Sequence, residues 1–349
     1  MKKMDYWISD VSLSDKVTLA QIDALLALEG IRRDKNLDYI CALQDDEANV
    51  VATGSCFGST LRCFAVSHEH QGEGLLNQVI THLIDMQASR GNFHLFLYTK
   101  PDAARFFGDL GFYEISRVPG KLVFMENRRD GFPSYLRKLS KDRRDGRSAA
   151  IVMNANPFTL GHLHLVETAA RACDTLHLFI VTEDLSLVPY RIRRQLIEAA
   201  TAHIPNLLYH ECGPYIISSA TFPSYFLKDE TDVIEGQAML DIAVFVQIAA
   251  QLGITARWVG EEPTSQVTGL DNRIMSEALP KAGIDCRIIP RLTADGKPIS
   301  ASQVRECLKT GNMNALTALV PESTIRFFES PEATPILERI RQTADVRHY

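Results

Sequence analysis

Residues 149–167, AAIVMNANPFTLGHLHLVE, constrain the fold more than any other stretch of this chain. Ala149 to Met153 are mostly apolar and read as a short buried strand. Asn154, Asn156 and Pro157 break it, and Gly161-His162 opens a segment whose apolar residues recur at helical spacing: Leu163, Val166, Ala169, Ala170 and Cys173. Alone, Asn-Pro is only a turn and Gly-His only the beginning of a helix. In this order, strand, tight turn and helix form a phosphate-binding arrangement. The first amides of the helix have no intrahelical acceptor and point at the turn, and the helix dipole favours negative charge there. His162 is placed to donate to a phosphate oxygen as charge builds on it. Asn154 and Thr159 add donors and acceptors at the same end of the strand.

From Arg147 onward strand and helix patterns alternate, which predicts an α/β domain with a doubly wound parallel sheet. Strands are expected at Ala149–Met153, Leu176–Val181, Leu207–His210, Arg257–Gly260 and Asp285–Ile289. Helices are expected at Leu163–Cys173, Tyr190–Ala202, Gly236–Leu252, Leu270–Ala282 and Ala301–Thr310. Ligands of such sheets sit at the carboxyl ends of the strands, where the strand order reverses. In KPISASQVRECLKTG, Ser300 or Ser302 is expected to cap a helix and to offer hydroxyls and amides to an anion. Arg305 lies a turn deeper, set to pair with a phosphate.

With a strand before it and a helix after it, the string TLGH resembles the HxGH-type nucleotidyltransferase superfamily in its TxGH form. The resemblance implies that Thr159 and His162 contact nucleotide phosphates, with Asn154 and Gly161 in the same ATP site. Ile299, Ser300, Ser302, Val304 and Arg305 resemble the superfamily's ISxTxVR element, with Ser in place of the second Thr. Residues 259–263, VGEEP, stand where the family has a short acidic turn near the adenine or ribose. Glu261 and Glu262 there either hold a ribose hydroxyl or magnesium or face solvent as turn residues, and Gly260 of the same turn is a further cofactor-binding candidate. The superfamily also has a basic residue near the loop after the second strand. Asp184 to Val188 contain none, so Arg191, Arg193 or Arg194 of the next helix supplies it or lines an exposed helix face.

Residues 1–127 read as a separate α/β unit. Lys16 to Leu28 is an amphipathic helix, and strands are expected at Leu37–Leu43, Asn49–Phe57, Arg62–Val66 and Phe93–Tyr98. Gln71-Gly72-Glu73-Gly74 precedes a helix with apolar residues at Leu75, Leu76, Val79, Ile80, Leu83 and Ile84, and AARFFGDLGFYEI closes the unit. The order resembles the GNAT acyltransferase fold. Gln71 and Gly74 match its pyrophosphate loop, while Leu76 stands where the family has Gly or Ala. Of the residues that family uses in catalysis, Tyr98 and Tyr113 are present, and the unit is either an acyltransferase or a docking scaffold. Residues 128–147 are dense in Lys and Arg with two Asp-Gly pairs, and read as a basic connector before the adenylation domain at 148–349.

A formal net charge of −6 argues against nucleic acid as the main partner. Seven scattered cysteines without a CxxC suit a reducing compartment and give no zinc site. MKKMDYWISD has no apolar signal region, and the longest apolar span, Met239 to Ile254, contains Asp241 and two glutamines. A cytoplasmic protein without a membrane span is expected.

A GNAT-like unit followed by a TxGH unit, with the strings NANPFTLGH, GPYIISSATFPSYFLK and VGEEP, resembles the citrate lyase ligase family over essentially the whole chain. The resemblance implies that ATP, with Mg2+, activates acetate to acetyl-AMP. The acetyl group then passes to the thiol prosthetic group of the lyase's acyl-carrier subunit, releasing AMP and diphosphate. On that reading 213–228, with Tyr215, Ser218, Ser219, Thr221 and Tyr225, is an acceptor-side loop or an ordinary surface loop. The alternative is an adenylyltransferase of cofactor biosynthesis, of phosphopantetheine or nicotinamide mononucleotide type, which shares both phosphate motifs but does not need the first unit.

Overall fold

The computed structural model describes residues 5–182, 185–216, 222, 223, 225, 227, 230–261, 266–294 and 296–346. The chain divides into two compact units, one of residues 1–134 and 221–243, the other of 135–220 and 244–349. The units are therefore not consecutive blocks of sequence, because 221–243 belong with the first.

The first unit contains β1 (Trp7–Asp10), α1 (Lys16–Leu28), β2 (Tyr39–Gln44), β3 (Val50–Phe57), β4 (Thr60–Val66), α2 (Leu75–Ser89), β5 (Phe96–Thr99), α3 (Ala104–Asp109), β6 (Tyr113–Val118) and β7 (Leu122–Glu126). Its strands form one sheet in the order β1-β2-β3-β4-β5-β7-β6, antiparallel except for β4 against β5. This is the GNAT-like α/β arrangement. The parallel pair is short, with only Thr60↔Phe96 and Leu61↔Leu97 in register. On α2 the buried residues Leu75, Val79, Ile80 and Leu83 follow the helical period, and they cover β3. Gly54 of β3 makes that contact close, since a Cβ there would lie 2.6 Å from Val79 Cγ1.

Residues 128–147 are more than a connector, because α4 (Gly131–Ser140) forms within them. The charged stretch around it hides an apolar pair seven residues apart, Phe132 and Leu139, both buried. The buried carboxylate of Glu126 accepts from the Phe132 amide at 2.6 Å and holds the start of this helix.

The second unit contains β8 (Ser148–Met153), α5 (Leu160–Arg171), β9 (Thr175–Ile180), α6 (Tyr190–Thr201), β10 (Leu207–Glu211), α7 (Glu230–Leu252, which begins in the first unit), β11 (Ile254–Gly260), α8 (Gln266–Ala278), β12 (Asp285–Ile289), β13 (Thr293–Ala294), β14 (Lys297–Pro298), α9 (Ala301–Thr310), α10 (Glu322–Glu329) and α11 (Thr334–Gln342). Five parallel strands stand in the order β10-β9-β8-β11-β12. Successive strands are added on one side of β8 and then on the other, the doubly wound order, with its switch point at β8. Leu165, Val166 and Ala169 of α5, Val304 and Leu308 of α9, and Phe327 and Phe328 of α10 share one core with β8 and β9.

The window 231–252 is long and apolar enough by composition to cross a membrane. Within it Val244, Phe245, Ile248, Ala249 and Leu252 are buried, as in the core helix of a globular unit. The expected helix at Leu270–Ala282 begins earlier, at Gln266, and a short 3-10 turn over Pro280–Ala282 ends it. β9 is buried along its whole length and carries His177, which meets His210 of β10 with Nδ1 and Nε2 2.9 Å apart. Asp142 lies 3.9 Å from the other nitrogen of His210, and Phe179 stacks on that ring at 4.8 Å. Burial holds both imidazoles down, to about 4 from the usual 6.5.

Candidate active site

The site is assembled around the start of α5. Thr159 is its N-cap, and its hydroxyl accepts from the His162 amide at 3.2 Å. His162 returns the bond, since its Nδ1 accepts from the Thr159 amide at 3.0 Å. This is a capping box in which histidine takes the place usually held by Glu or Gln. The chemical consequence is a fixed tautomer. With Nδ1 committed as an acceptor, the neutral ring carries its proton on Nε2 and presents N–H as a donor. Burial, then the positive charge of Arg291, pushes the His162 pKa down to about 4. The ring is neutral at physiological pH, and Phe158 stacks on it at 5.6 Å.

Gly161 brings a second element alongside. A Cβ on it would stand 3.5 Å from the Ile299 carbonyl oxygen, so the backbone before α9 runs along the first turn of α5. Ser300 caps α9 with the same reciprocal device, accepting from the Gln303 amide at 3.2 Å while its own amide donates to Gln303 Oε1 at 3.0 Å. Two helix N-termini thus lie together at the carboxyl end of β8, each with its dipole favouring negative charge.

Two buried guanidiniums hold the surrounding turns. Arg305 donates to the Val346 carbonyl at 2.6 Å, the Asn156 carbonyl at 2.5 Å and Ser302 Oγ at 3.2 Å. Burial draws its pKa down to about 10. Of the three arginines on α6, Arg193 is fully buried rather than on an exposed face. It donates to the carbonyls of Val188 at 3.0 Å, Asn154 at 2.8 Å and Val181 at 2.8 Å. It thereby ties together the ends of β8 and β9 and the loop before α6. Asn154 exchanges hydrogen bonds with Ser186 at 3.0 and 3.3 Å, and Asn156 Oδ1 accepts from the Val188 amide at 3.0 Å.

At the end of β11, the Gly260 carbonyl accepts from Asn272 at 3.0 Å, and Glu261 is exposed. Glu183, Asp184 and Glu262 lie outside the described residues, as do Ser218, Ser219 and Thr221. Thr159, Gly161, His162, Ser300, Ser302 and Arg305 are thus gathered at one end of β8, with Asn154 on the turn beside them. Sequence reasoning missed Arg291, just past the end of β12. The signal was there, because a cation directly after a strand of a doubly wound sheet stands where ligands bind.

In the first unit the loop Gln71–Gly74 and the strands β4 and β5 line a cavity of about 540 Å³. Tyr98 is buried in its wall, stacked on Phe124 at 4.5 Å, and its carbonyl accepts from Tyr225 at 3.2 Å. Tyr113 is 41% exposed and is not among the lining residues. Tyr215, in the second unit, is buried against Tyr135 with ring centroids 4.9 Å apart.

Residues 148–328 match the family described as the citrate lyase ligase C-terminal domain. A citrate (pro-3S)-lyase ligase of Escherichia coli K12 is 37% identical over 97% of this chain and 96% of its own length. The ligase of Klebsiella pneumoniae is 38% identical over 90% of this chain and 94% of its own. Among solved structures, a GNAT-family acetyltransferase of Staphylococcus aureus MU50 is 12% identical, covering 36% of this chain and 100% of its own with a TM-score of 0.31. With a family match across its second unit and relatives this similar from end to end, the chain belongs to the citrate lyase ligase family.

Proposed function

We propose that this enzyme is an AMP-forming acid–thiol ligase that activates acetate with ATP and acetylates the thiol prosthetic group of the citrate lyase acyl-carrier subunit. In the first step an acetate oxygen attacks the α-phosphorus in line, the bond to the β-phosphate breaks, and diphosphate leaves. In the second the carrier sulfur attacks the acetyl carbonyl, the bond to AMP breaks, and the thiol proton is released. No covalent protein intermediate is needed, and the work of the protein is to place charge around the phosphates.

One observation carries the reading: the neutral His162 ring, locked by Thr159 so that Nε2–H is a donor at a paired helix N-terminus. A neutral donor gains strength as charge grows on the leaving oxygens. Thr159, Gly161, Ser300 and Ser302 form the cradle, with Asn154, Gly260 and Glu261 toward the nucleoside. Arg305 holds the Asn156 turn against α9 and adds positive potential from below. Mg2+ enters as part of MgATP; among the described residues no three His, Cys, Asp or Glu side chains gather to hold a metal. Acetate, the carrier thiol and a cytoplasmic setting complete the proposal, and the full-length match to ligases favours it over a cofactor adenylyltransferase.

The test is diphosphate release from ATP with acetate, phosphopantetheine or nicotinamide mononucleotide in turn, followed by mass analysis of the carrier. Acetate-dependent acetyl-AMP and a carrier gaining one acetyl group are expected. Absence of both with acetate would sink the ligase reading.

A further inference from the structure

Both basic residues of α9 hold the same neighbouring stretch of chain. Ser302, Arg305 and Lys309 are spaced three and four residues apart, so they share one face of the helix. Lys309 Nζ donates to the carbonyls of Thr343 and Ala344, each at 2.8 Å. A turn earlier, Arg305 Nε donates to the Val346 carbonyl at 2.6 Å. Residues 343–346 follow α11, which packs against α9, and Thr343 leaves that helix in an extended conformation. They run as a strap along α9, with Val346 buried in the core that α9 shares with β8.

The strap is connected to the site through Arg305. The same planar guanidinium that reaches Val346 donates to the Asn156 carbonyl at 2.5 Å, so the two carbonyls are held at a fixed spacing across it. Asn156 lies on the turn between β8 and the Thr159–His162 cap, and its Oδ1 accepts from the Val188 amide at 3.0 Å. A displacement of the strap is thereby passed to the turn that presents His162. Lys309 is the contact in this series that solvent can replace. Ala344 is exposed, and water would satisfy its carbonyl at little cost, whereas a lysine holding two successive carbonyls gives up side-chain entropy to fix their position. The two bonds therefore place the strap rather than satisfy it.

We infer that Lys309 is a positioning residue for the adenylation step: it pins 343–344, the pinned strap sets Arg305, and Arg305 sets the Asn156 turn from which Thr159 and His162 face the phosphates. The inference rests on the adenylation reading above for the reaction, and one of its two readouts needs no turnover. Acetate-dependent diphosphate release from ATP would be measured with the full chain for wild type, Lys309→Met, Lys309→Gln and Lys309→Arg, well below the melting temperature of each. Met keeps the apolar stem and removes the donors. It should lower kcat on the order of 10-fold and change KM for ATP by less than about 3-fold, because a shifted turn misaligns donors in the transition state more than it weakens ground-state binding. Arg should restore most of kcat, and Gln, with its shorter reach, should not. Amide exchange of the protein without ATP supplies the second readout. In Lys309→Met the Val188 amide, bonded to Asn156 Oδ1, should exchange about 10-fold faster, while the amides of β8 and β9 keep their wild-type rates. Wild-type kcat in Lys309→Met, or exchange accelerated equally at Val188 and across β8 and β9, would overturn the assignment and leave Lys309 as an ordinary stabilising contact. A wild type that forms no acetyl-AMP, with Val188 still exchanging faster in Lys309→Met, would overturn the ligase reading and keep the hold of the strap on the turn.

Discussion

Acid should unfold the second unit from within its sheet. His177 and His210 are both buried, and burial holds each near a pKa of about 4 against 6.5 when exposed. A histidine whose folded pKa is depressed binds more protons unfolded than folded. Its stabilisation is therefore intact above pH 6.5 and is lost progressively as pH falls toward 4. At pH 5 the two values cited give about 2 kcal/mol per imidazole, and about 4 kcal/mol for the pair. That is a large share of a stability of roughly 5–15 kcal/mol. The pair has no easy escape, because Nε2 of His177 is buried without a hydrogen-bond partner among the described residues. Charging this ring would leave an unsolvated N–H in the middle of β9. Trp258 of β11 reports on this unit, and with Trp7 replaced by Phe it is the only tryptophan. Urea unfolding would be followed by its fluorescence between pH 7 and 5. The double variant His177→Leu/His210→Leu should lose about 4 kcal/mol less over that interval than the parent. An equal loss in both, or a native-state resonance of either histidine titrating above pH 6, would refute the reasoning.

Other substitutions separate holding the site from doing the chemistry. His162→Ala should reduce acetyl-AMP formation by 10²-fold or more, on the order of one lost donor to developing charge, while circular dichroism stays near wild type; wild-type turnover would remove His162 from the site. Thr159→Ala should lower the unfolding free energy by about 1 kcal/mol through loss of the N-cap and also slow adenylation, whereas Thr159→Ser should restore both in urea melts and in the acetyl-AMP assay. Arg193→Met leaves the carbonyls of Asn154, Val181 and Val188 without their buried donor and should destabilise by about 3 kcal/mol or more; an unchanged melting temperature would contradict that role.

What the sequence disclosed and what it withheld have distinct physical causes. The run from Ala149 to Glu167 was legible because strand, turn and helix are each fixed by neighbours within a few residues. The Ser300 cap was legible for the same reason. Which arginine of α6 turns inward was not, because 191, 193 and 194 share one short stretch and only the loops of three other segments select Arg193. Arg291 carries a local signal, a cation directly after a strand, but that β12 lies beside β11 is set by a non-local register, and the signal was passed over. The helix α4 was obscured by the charged residues on either side of it in 128–147, although Phe132, Leu136 and Leu139 lie within it. Residues 221–243 read as part of the second half by position alone, and only long-range contacts, such as Arg32 N–H to the Tyr225 carbonyl at 2.9 Å, assign them to the first unit.

The bond from Arg305 to the carbonyls of Asn156 and Val346 has a consequence for biosynthesis. The turn after β8 leaves the ribosome when more than half of its own unit is still to be made. The arginine that braces it, and the carbonyl that braces the arginine, follow at the far end of that unit. A nascent chain therefore displays TLGH before the residues that brace its turn exist. The bracing contacts of this turn can form only once translation of the unit is nearly done.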